Sequence, residues 1–252
     1  MKKAFLMAAC AAVFMPVAAS AQSITPSASA SVSTGDFGTD RDTRMGNVSV
    51  GAQWRSGGTT IQVSLPYVVI DSPGFVFAGF DGTPLVMVPD DGGPIFARDG
   101  FADPTISLSQ DLSAGGFDFR ATGRVKIPVQ KFNDISTGET DWSVSGEISR
   151  PVGKVVPFAS VGYRVYGDPE LWEVQDGFSA SAGFGILAGD GAVAFSYEFA
   201  ETTSDFVDDA HEIVAVYDAP VTGRFRIASF ATVGLSDGAP DFGAGLRLAT
   251  SF

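Results

Sequence analysis

Asp241-Phe242-Gly243-Ala244-Gly245-Leu246-Arg247-Leu248-Ala249-Thr250-Ser251-Phe252 closes the chain. In an extended segment successive side chains point to opposite sides. Phe242, Ala244, Leu246, Leu248, Thr250 and Phe252 therefore share one face, and Gly243, Gly245, Arg247, Ala249 and Ser251 share the other. One face is greasy and ends on an aromatic ring. The other is small, polar or cationic. A soluble β-sandwich or a lipocalin-like barrel also alternates, but there the apolar face packs on a core and a terminal aromatic has no role. A strand with hydrocarbon on one side and an aqueous lumen on the other needs this pattern.

The opposite end of the chain agrees. Met1-Lys2-Lys3 is a short basic start, Ala4 to Ala18 is apolar, and Ala19-Ser20-Ala21 precedes Gln22. This is the layout of a secretory signal peptide over residues 1–21, so the folded unit is expected to be residues 22–252. The apolar run is short for a membrane-spanning helix, which needs about 20 residues. Cys10, the single cysteine, lies inside the leader, which leaves the mature chain without disulfide, thiolate nucleophile or cysteine-bound metal. No later segment is apolar enough for a transmembrane helix, so only a closed barrel satisfies every backbone group across a bilayer. The chain carries 29 acidic against 16 basic side chains, and Lys2 and Lys3 leave with the leader. A surface that acidic excludes nucleic acid as a partner, because phosphate binding needs basic groups.

Strand-like segments recur along residues 22–252 at 24–34, 45–55, 59–70, 101–112, 117–128, 141–150, 155–165, 177–187, 192–201, 210–217, 224–233 and 241–252. Most reach the 9–11 residues or so that a transmembrane strand requires. Short Gly-rich connections alternate with longer loops, as in barrels with short periplasmic turns and long outer loops. The expectation is an all-β protein, an antiparallel transmembrane β-barrel of 12 strands in the bacterial outer membrane. An even count puts both termini in the periplasm. Phe75 to Phe80 and Leu85 to Val88, joined around Asp81-Gly82, read as a further hairpin. Its arms are short, which places it as an extension of the outer rim; counted as spanning, they would give 14 strands. Aromatic residues gather at both strand ends, Tyr67, Trp142, Tyr163, Phe178, Phe199 and Phe242 at one and Trp54, Phe117, Tyr217, Phe225 and Phe252 at the other, as bilayer interfaces favour.

The same register directs Arg55, Arg120, Arg124, Lys126, Arg164, Arg224, Arg226 and Arg247 into the lumen, with Asp111, Asp118, Glu147, Glu198 and Glu212. On the lipid face an Arg or Lys near the midplane would cost about 2–4 kcal/mol. Two readings of these charges stay open. One is a mixed network that fills a narrow barrel, with Arg124 paired to Glu147 across a hairpin. The other is a basic ladder of Arg120, Arg124 and Lys126 that orients an anionic or polar solute. Twelve tilted strands give a backbone radius of roughly 12 Å, which inward side chains narrow to a passage for small solutes. The apolar stretch within residues 71–100, carrying Phe75, Phe77, Phe80 and Val86, is a candidate plug or docking patch at the mouth. The acidic loops suit a surface facing lipopolysaccharide.

Catalysis is not expected. His211 is the single histidine; it falls on the lipid-facing set, and no Ser sits two residues away on its face. No cofactor motif appears, and no loop has the oxygen-rich, Gly-punctuated spacing of a calcium site. The expected partners are membrane lipid, lipopolysaccharide and a small-molecule solute; the oligomeric state stays open.

Two stretches carry a family resemblance. Gly100-Phe101-Ala102-Asp103-Pro104-Thr105-Ile106-Ser107-Leu108 is one. The other runs from Val125-Lys126-Ile127-Pro128 through Thr137-Gly138-Glu139-Thr140-Asp141-Trp142-Ser143 to Gly162-Tyr163 and Gly167-Asp168-Pro169. Together they resemble the outer-membrane proteins encoded with meta-cleavage pathways for phenol degradation. Ala102 stands where that pattern has Gly, and Val129-Gln130-Lys131 separates Pro128 from the later Thr-Gly. The resemblance implies a transporter barrel for aromatic or other small hydrophobic compounds. The runner-up is a structural or surface-interaction barrel with a closed lumen.

Overall fold

A computed structural model describes residues 22–129, 133–169, 173–202 and 204–250. The expected leader, Lys131, Glu170 and the terminal Phe252 lie outside the described residues. In chain order the strands are β1 (Ser23–Gly35), β2 (Thr43–Ser56), β3 (Thr59–Ser72), β4 (Phe75–Ala78), β5 (Pro84–Val88), β6 (Phe96–Phe101), β7 (Thr105–Ala114) and β8 (Phe117–Lys126). They continue as β9 (Asp141–Ser149), β10 (Val155–Val165), β11 (Gly177–Ala188), β12 (Gly191–Ala200), β13 (Ala210–Pro220), β14 (Phe225–Gly234) and β15 (Phe242–Thr250). All but β4, β5 and β6 span the wall, giving a closed antiparallel barrel of 12 strands. The first and last strands meet directly, Ala30 opposite Leu246 and Ser27 opposite Ala249.

Alternation fixes which side each residue faces, since a slip of one residue would exchange the two faces of a strand. Ile24, Val32, Val48, Val50, Val63, Leu65, Val144, Val161, Leu246 and Leu248 lie exposed on the outside. Rings cluster at the strand ends: Tyr163 stacks near Phe178 with centroids 4.7 Å apart, Tyr67 meets Phe101 edge-on at 5.2 Å, and the Arg150 guanidinium covers Phe117 at 4.9 Å. At one end the turns are tight. Gly115 and Gly116 both take positive φ (64° and 80°) between Ala114 and Phe117, the geometry a two-residue hairpin needs to match strand twist. The long connections all lie at the other end.

Two expectations are corrected. The fourth wall strand was expected to run unbroken from residue 101. Instead β6 pairs with the loop-side part of β3 (Tyr67 opposite Phe101) and β7 with the rest (Ser64 opposite Thr105), the register shifting by one residue between them. Pro104 has no N–H for the ladder, and after Ala102, whose N–H still donates to the Pro66 carbonyl at 2.9 Å, Asp103 and Pro104 bulge out of it; bulges of this kind collect at barrel rims. Second, β4 and β5 pair only with each other. They neither add two strands to the wall nor extend its rim. They turn inward.

Candidate functional site

The β4–β5 hairpin fills the loop-side half of the lumen, and its own alternation explains why it fits there. Phe77, Leu85 and Met87 face one way, together with Phe80 at the tip. They pack on Tyr166, Val174, Ala200, Val207, Ala210 and Ala239. Val76, Ala78 and Val86 face the other way, onto Phe37, Met45, Val68, Ile70, Ala102 and Ile135. A strand that is apolar on both faces needs cover on both, and the barrel interior supplies it. Val76, Phe77, Phe80, Leu85, Val86 and Met87 are all at most 1% exposed, whereas Phe75, at the entry to the hairpin, is 38% exposed.

The tip is held by a single polar residue. Asp81 lies in the left-handed region (φ 55°, ψ 24°), which is uncommon for a non-glycine residue and is a form of strain that collects at functional positions. Its carboxylate pairs with the Arg124 guanidinium on β8 and accepts from the Ser64 hydroxyl on β3. Its N–H donates to Thr105 Oγ1 on β7 (3.1 Å), and its carbonyl accepts from Asn47 Nδ2 on β2 (2.8 Å). Arg124 also lies over the Phe80 ring, 5.1 Å from its centroid. One aspartate thus touches β2, β3, β7 and β8. Farther out, Arg41 donates to Asp90 Oδ2 (2.7 Å) and to the Gly93 carbonyl (2.6 Å), tying the β1–β2 loop to the segment that follows the hairpin.

That outer tie has a defined pH response. The hydrogen bond from Arg41, helped by the Gly92 N–H, lowers the Asp90 carboxyl from 3.8 to about 2. A depressed folded-state pKa means a stabilising contribution that is present above the ordinary value and fades as pH falls toward the depressed one. Amide exchange of Asp91 to Gly93 should therefore stay slow and constant from neutral pH down to about 3.8, then quicken toward about 2 once corrected for intrinsic pH dependence. Asp90→Asn should abolish the transition; a D90N profile identical to the parent would disprove the assignment. Because the pair is partly exposed and screened by solvent, the effect is confined to the loop.

The sequence-selected charges divide by height. Arg120 binds Asp111 through Nε (2.6 Å) and Nη2 (3.1 Å), and Arg55 reaches the same carboxylate at 3.3 Å. The register sets Glu147 opposite Arg120 and places Ser143 opposite Arg124. The expected Arg124–Glu147 pair is therefore not formed, and Arg124 serves the hairpin tip instead. Lys126 is wholly buried, with Nζ 2.6 Å from Asp141 Oδ2 and 4.0 Å from Asp103 Oδ2; it faces no open space. Arg164, Glu198 and Glu212 also point inward and are buried (4%, 9% and 3% exposed). Arg247 lies in the half-exposed part of the lumen, where it donates to Ser27 Oγ at 3.3 Å. Arg226 pairs with Asp218. Arg224 sits in the exposed turn before β14, off the lumen wall where it was expected.

The turn-side half of the lumen has two characters. Hydroxyl pairs line one arc: Ser29 with Ser49 (2.9 Å), Ser109 with Thr122 (2.9 Å) and Ser160 with Ser181 (2.7 Å). On the wall of β12 to β14, Ala194, Val214, Val216 and the partly buried Phe230 form an inward apolar patch. A Cβ at Gly245 would collide with the Phe230 ring, and one at Gly183 would collide with the Phe195 carbonyl oxygen and come within 2.9 Å of the Phe158 ring. Glycine on these lumen positions makes room for inward rings. His211 lies on the outer face, where its Nδ1 contacts the Tyr197 hydroxyl at 2.5 Å. Among the described residues no cluster of three or more His, Cys, Asp or Glu could hold a metal.

No family model matches the chain, and no curated protein matches it. Solved structures do. The COG4313 outer membrane channel from Pseudomonas putida F1 superposes with a TM-score of 0.75 at 13% identity, over 93% of this chain and 97% of that one. The KdgM porin in complex with disordered oligogalacturonate gives 0.49 at 6% identity, over 91% and 98%. The Salmonella typhi OmpF complex with daunomycin gives 0.43 at 9% identity, over 91% and 97%. At 13% identity the likeness to the Pseudomonas putida channel is one of fold: this chain has the architecture of an outer-membrane β-barrel.

Proposed function

We propose that the protein is an outer-membrane channel for small solutes, occluded at rest by the β4–β5 hairpin, with the long loops outward and both termini in the periplasm. The observation that carries this reading is the division of the lumen into an occluded half and a solvated half. A barrel built only as a scaffold has no use for a polar, water-accessible interior on the turn side, where Ser27, Ser29, Ser107, Ser160 and Arg247 remain half-exposed. The partly buried Phe230, seated on Ala194, Val214 and Val216, gives the lumen an aromatic surface that supports solutes with hydrophobic or aromatic character, in line with the resemblance to the phenol-pathway transporters. The acidic outer loops suit contact with lipopolysaccharide.

The burial of Val76, Phe77, Phe80, Leu85, Val86 and Met87 favours a second reading, a surface barrel whose lumen stays shut. Proteoliposomes separate the two. The channel reading expects entry of small phenols or other neutral solutes into vesicles carrying the protein, faster than into empty ones, and a modest further rise for Asp81→Ala, which loosens the tip. Uptake no faster than into empty vesicles by both the parent and D81A would overturn the channel and leave the closed barrel.

A further inference from the structure

A polar group the channel reading does not use lies just turn-side of the hairpin. Glu198 on β12 and Glu212 on β13 stand directly opposite each other in the register, and both point inward. The next inward-facing pair along these strands, Ala200 opposite Ala210, belongs to the apolar seat on which Phe77 and Phe80 rest. Glu198 Oε1 accepts from Ser196 Oγ at 3.1 Å. Glu212 is 3% exposed, and its Oε1 has no hydrogen-bond partner among the described residues. Thr232 on β14 is 1% exposed, faces the same side diagonally from Glu212, and its Oγ1 has no partner either. An unpaired polar atom in such a place costs of order 1–3 kcal/mol, and a bare carboxylate more.

We propose that Glu198, Glu212, Ser196 and Thr232 form an oxygen-lined site for one monovalent alkali cation. Charge balance favours a single positive charge. Arg164, 4% exposed, points into the same interior and supplies one positive charge there. Two carboxylates and one guanidinium leave one negative charge uncompensated. A divalent ion would overshoot, and magnesium would demand near-octahedral geometry with several waters retained. A proton shared between the two glutamates would also balance the charge, but it would leave Thr232 Oγ1 unsatisfied. A cation draws on that oxygen and on Glu212 Oε1 together. Its position beneath the hairpin's seat couples occupancy to how firmly the hairpin is held.

The test is thermal unfolding of the full mature protein in detergent micelles, in sodium or potassium chloride against N-methyl-D-glucamine chloride at equal ionic strength and alkaline pH. The parent should melt several degrees higher in an alkali salt, with a shift that saturates as the ion is titrated. Glu212→Gln and Thr232→Val should lose that difference; both are near-isosteric, and each carries its own glucamine reference. Sodium-23 NMR line broadening, present in the parent and absent in E212Q, reports binding independently of stability. Equal melting of the parent in all salts, or an unchanged cation shift in E212Q, overturns the site. A dependence on pH but not on cation identity overturns it in favour of a shared proton.

Discussion

Replacing residues 75–88 with a short Gly-Ser linker should raise single-channel conductance in planar bilayers by roughly tenfold or more, because a barrel of this strand number has a lumen too wide for its own short side chains to fill. The wall does not depend on the hairpin. Its ladder closes through β2–β3 and β1–β15 without either arm, so the variant should keep a heat-modifiable barrel on gels. Cutting the tip contact alone should do much less. Six large apolar side chains of the hairpin are fully buried, each contributing roughly 1.5–3 kcal/mol, whereas a partly exposed ion pair such as Asp81–Arg124 contributes no more than about 1 kcal/mol. D81A should therefore flicker open briefly rather than conduct steadily. A deletion variant that folds and conducts no better than the parent would show that other loops close the barrel.

The partition into greasy outside and ionic inside was legible residue by residue, because a closed antiparallel wall imposes a strict period of two on every strand. Phe117, Phe119, Arg120 and Arg124 lie on the faces that alternation assigned them. The loop-side interior was legible only in part. Tyr67-Val68-Val69-Ile70 is apolar on both faces, which for a membrane strand signals that something covers the lumen side at that height. The identity of the cover was recoverable from the unusual apolar content of residues 71–100, yet nothing local says whether such a hairpin turns in or stands out. The partners of Asp81 were not legible at all. They come from strands far apart in sequence, and only the closed barrel brings Asn47, Ser64, Thr105 and Arg124 around one aspartate. The Arg124–Glu147 expectation failed for a related reason. Height along a tilted strand depends on turn length, and the register moved Glu147 down to Arg120.

Lys126→Met should destabilise the barrel by about 3–5 kcal/mol, the cost of leaving buried carboxylates without their counter-charge. Lys126 joins more of the rim than its place at the end of β8 suggests. Asp141, which it pairs with, opens β9 and accepts from the Gly167 N–H at 3.2 Å. Asp103, in the bulge before β7, accepts from the Val129 N–H at 3.1 Å and from the Ser136 hydroxyl, while Lys126 itself donates to Thr137 Oγ1 at 3.3 Å. The lysine therefore links the bulge, two strand ends and the β8–β9 loop through groups that are all at most 4% exposed. Urea unfolding of the protein in lipid vesicles, followed by tryptophan fluorescence, measures the loss. The triple variant Lys126→Met, Asp103→Asn, Asp141→Asn should recover much of it, since removing all the charges together also removes the desolvation penalty. Ion selectivity of the hairpin-deleted channel separates this structural role from a place in a basic ladder. Adding K126M to that channel should leave its ion selectivity unchanged, whereas adding Arg120→Gln should shift it. An equal shift for both would return Lys126 to the conducting wall.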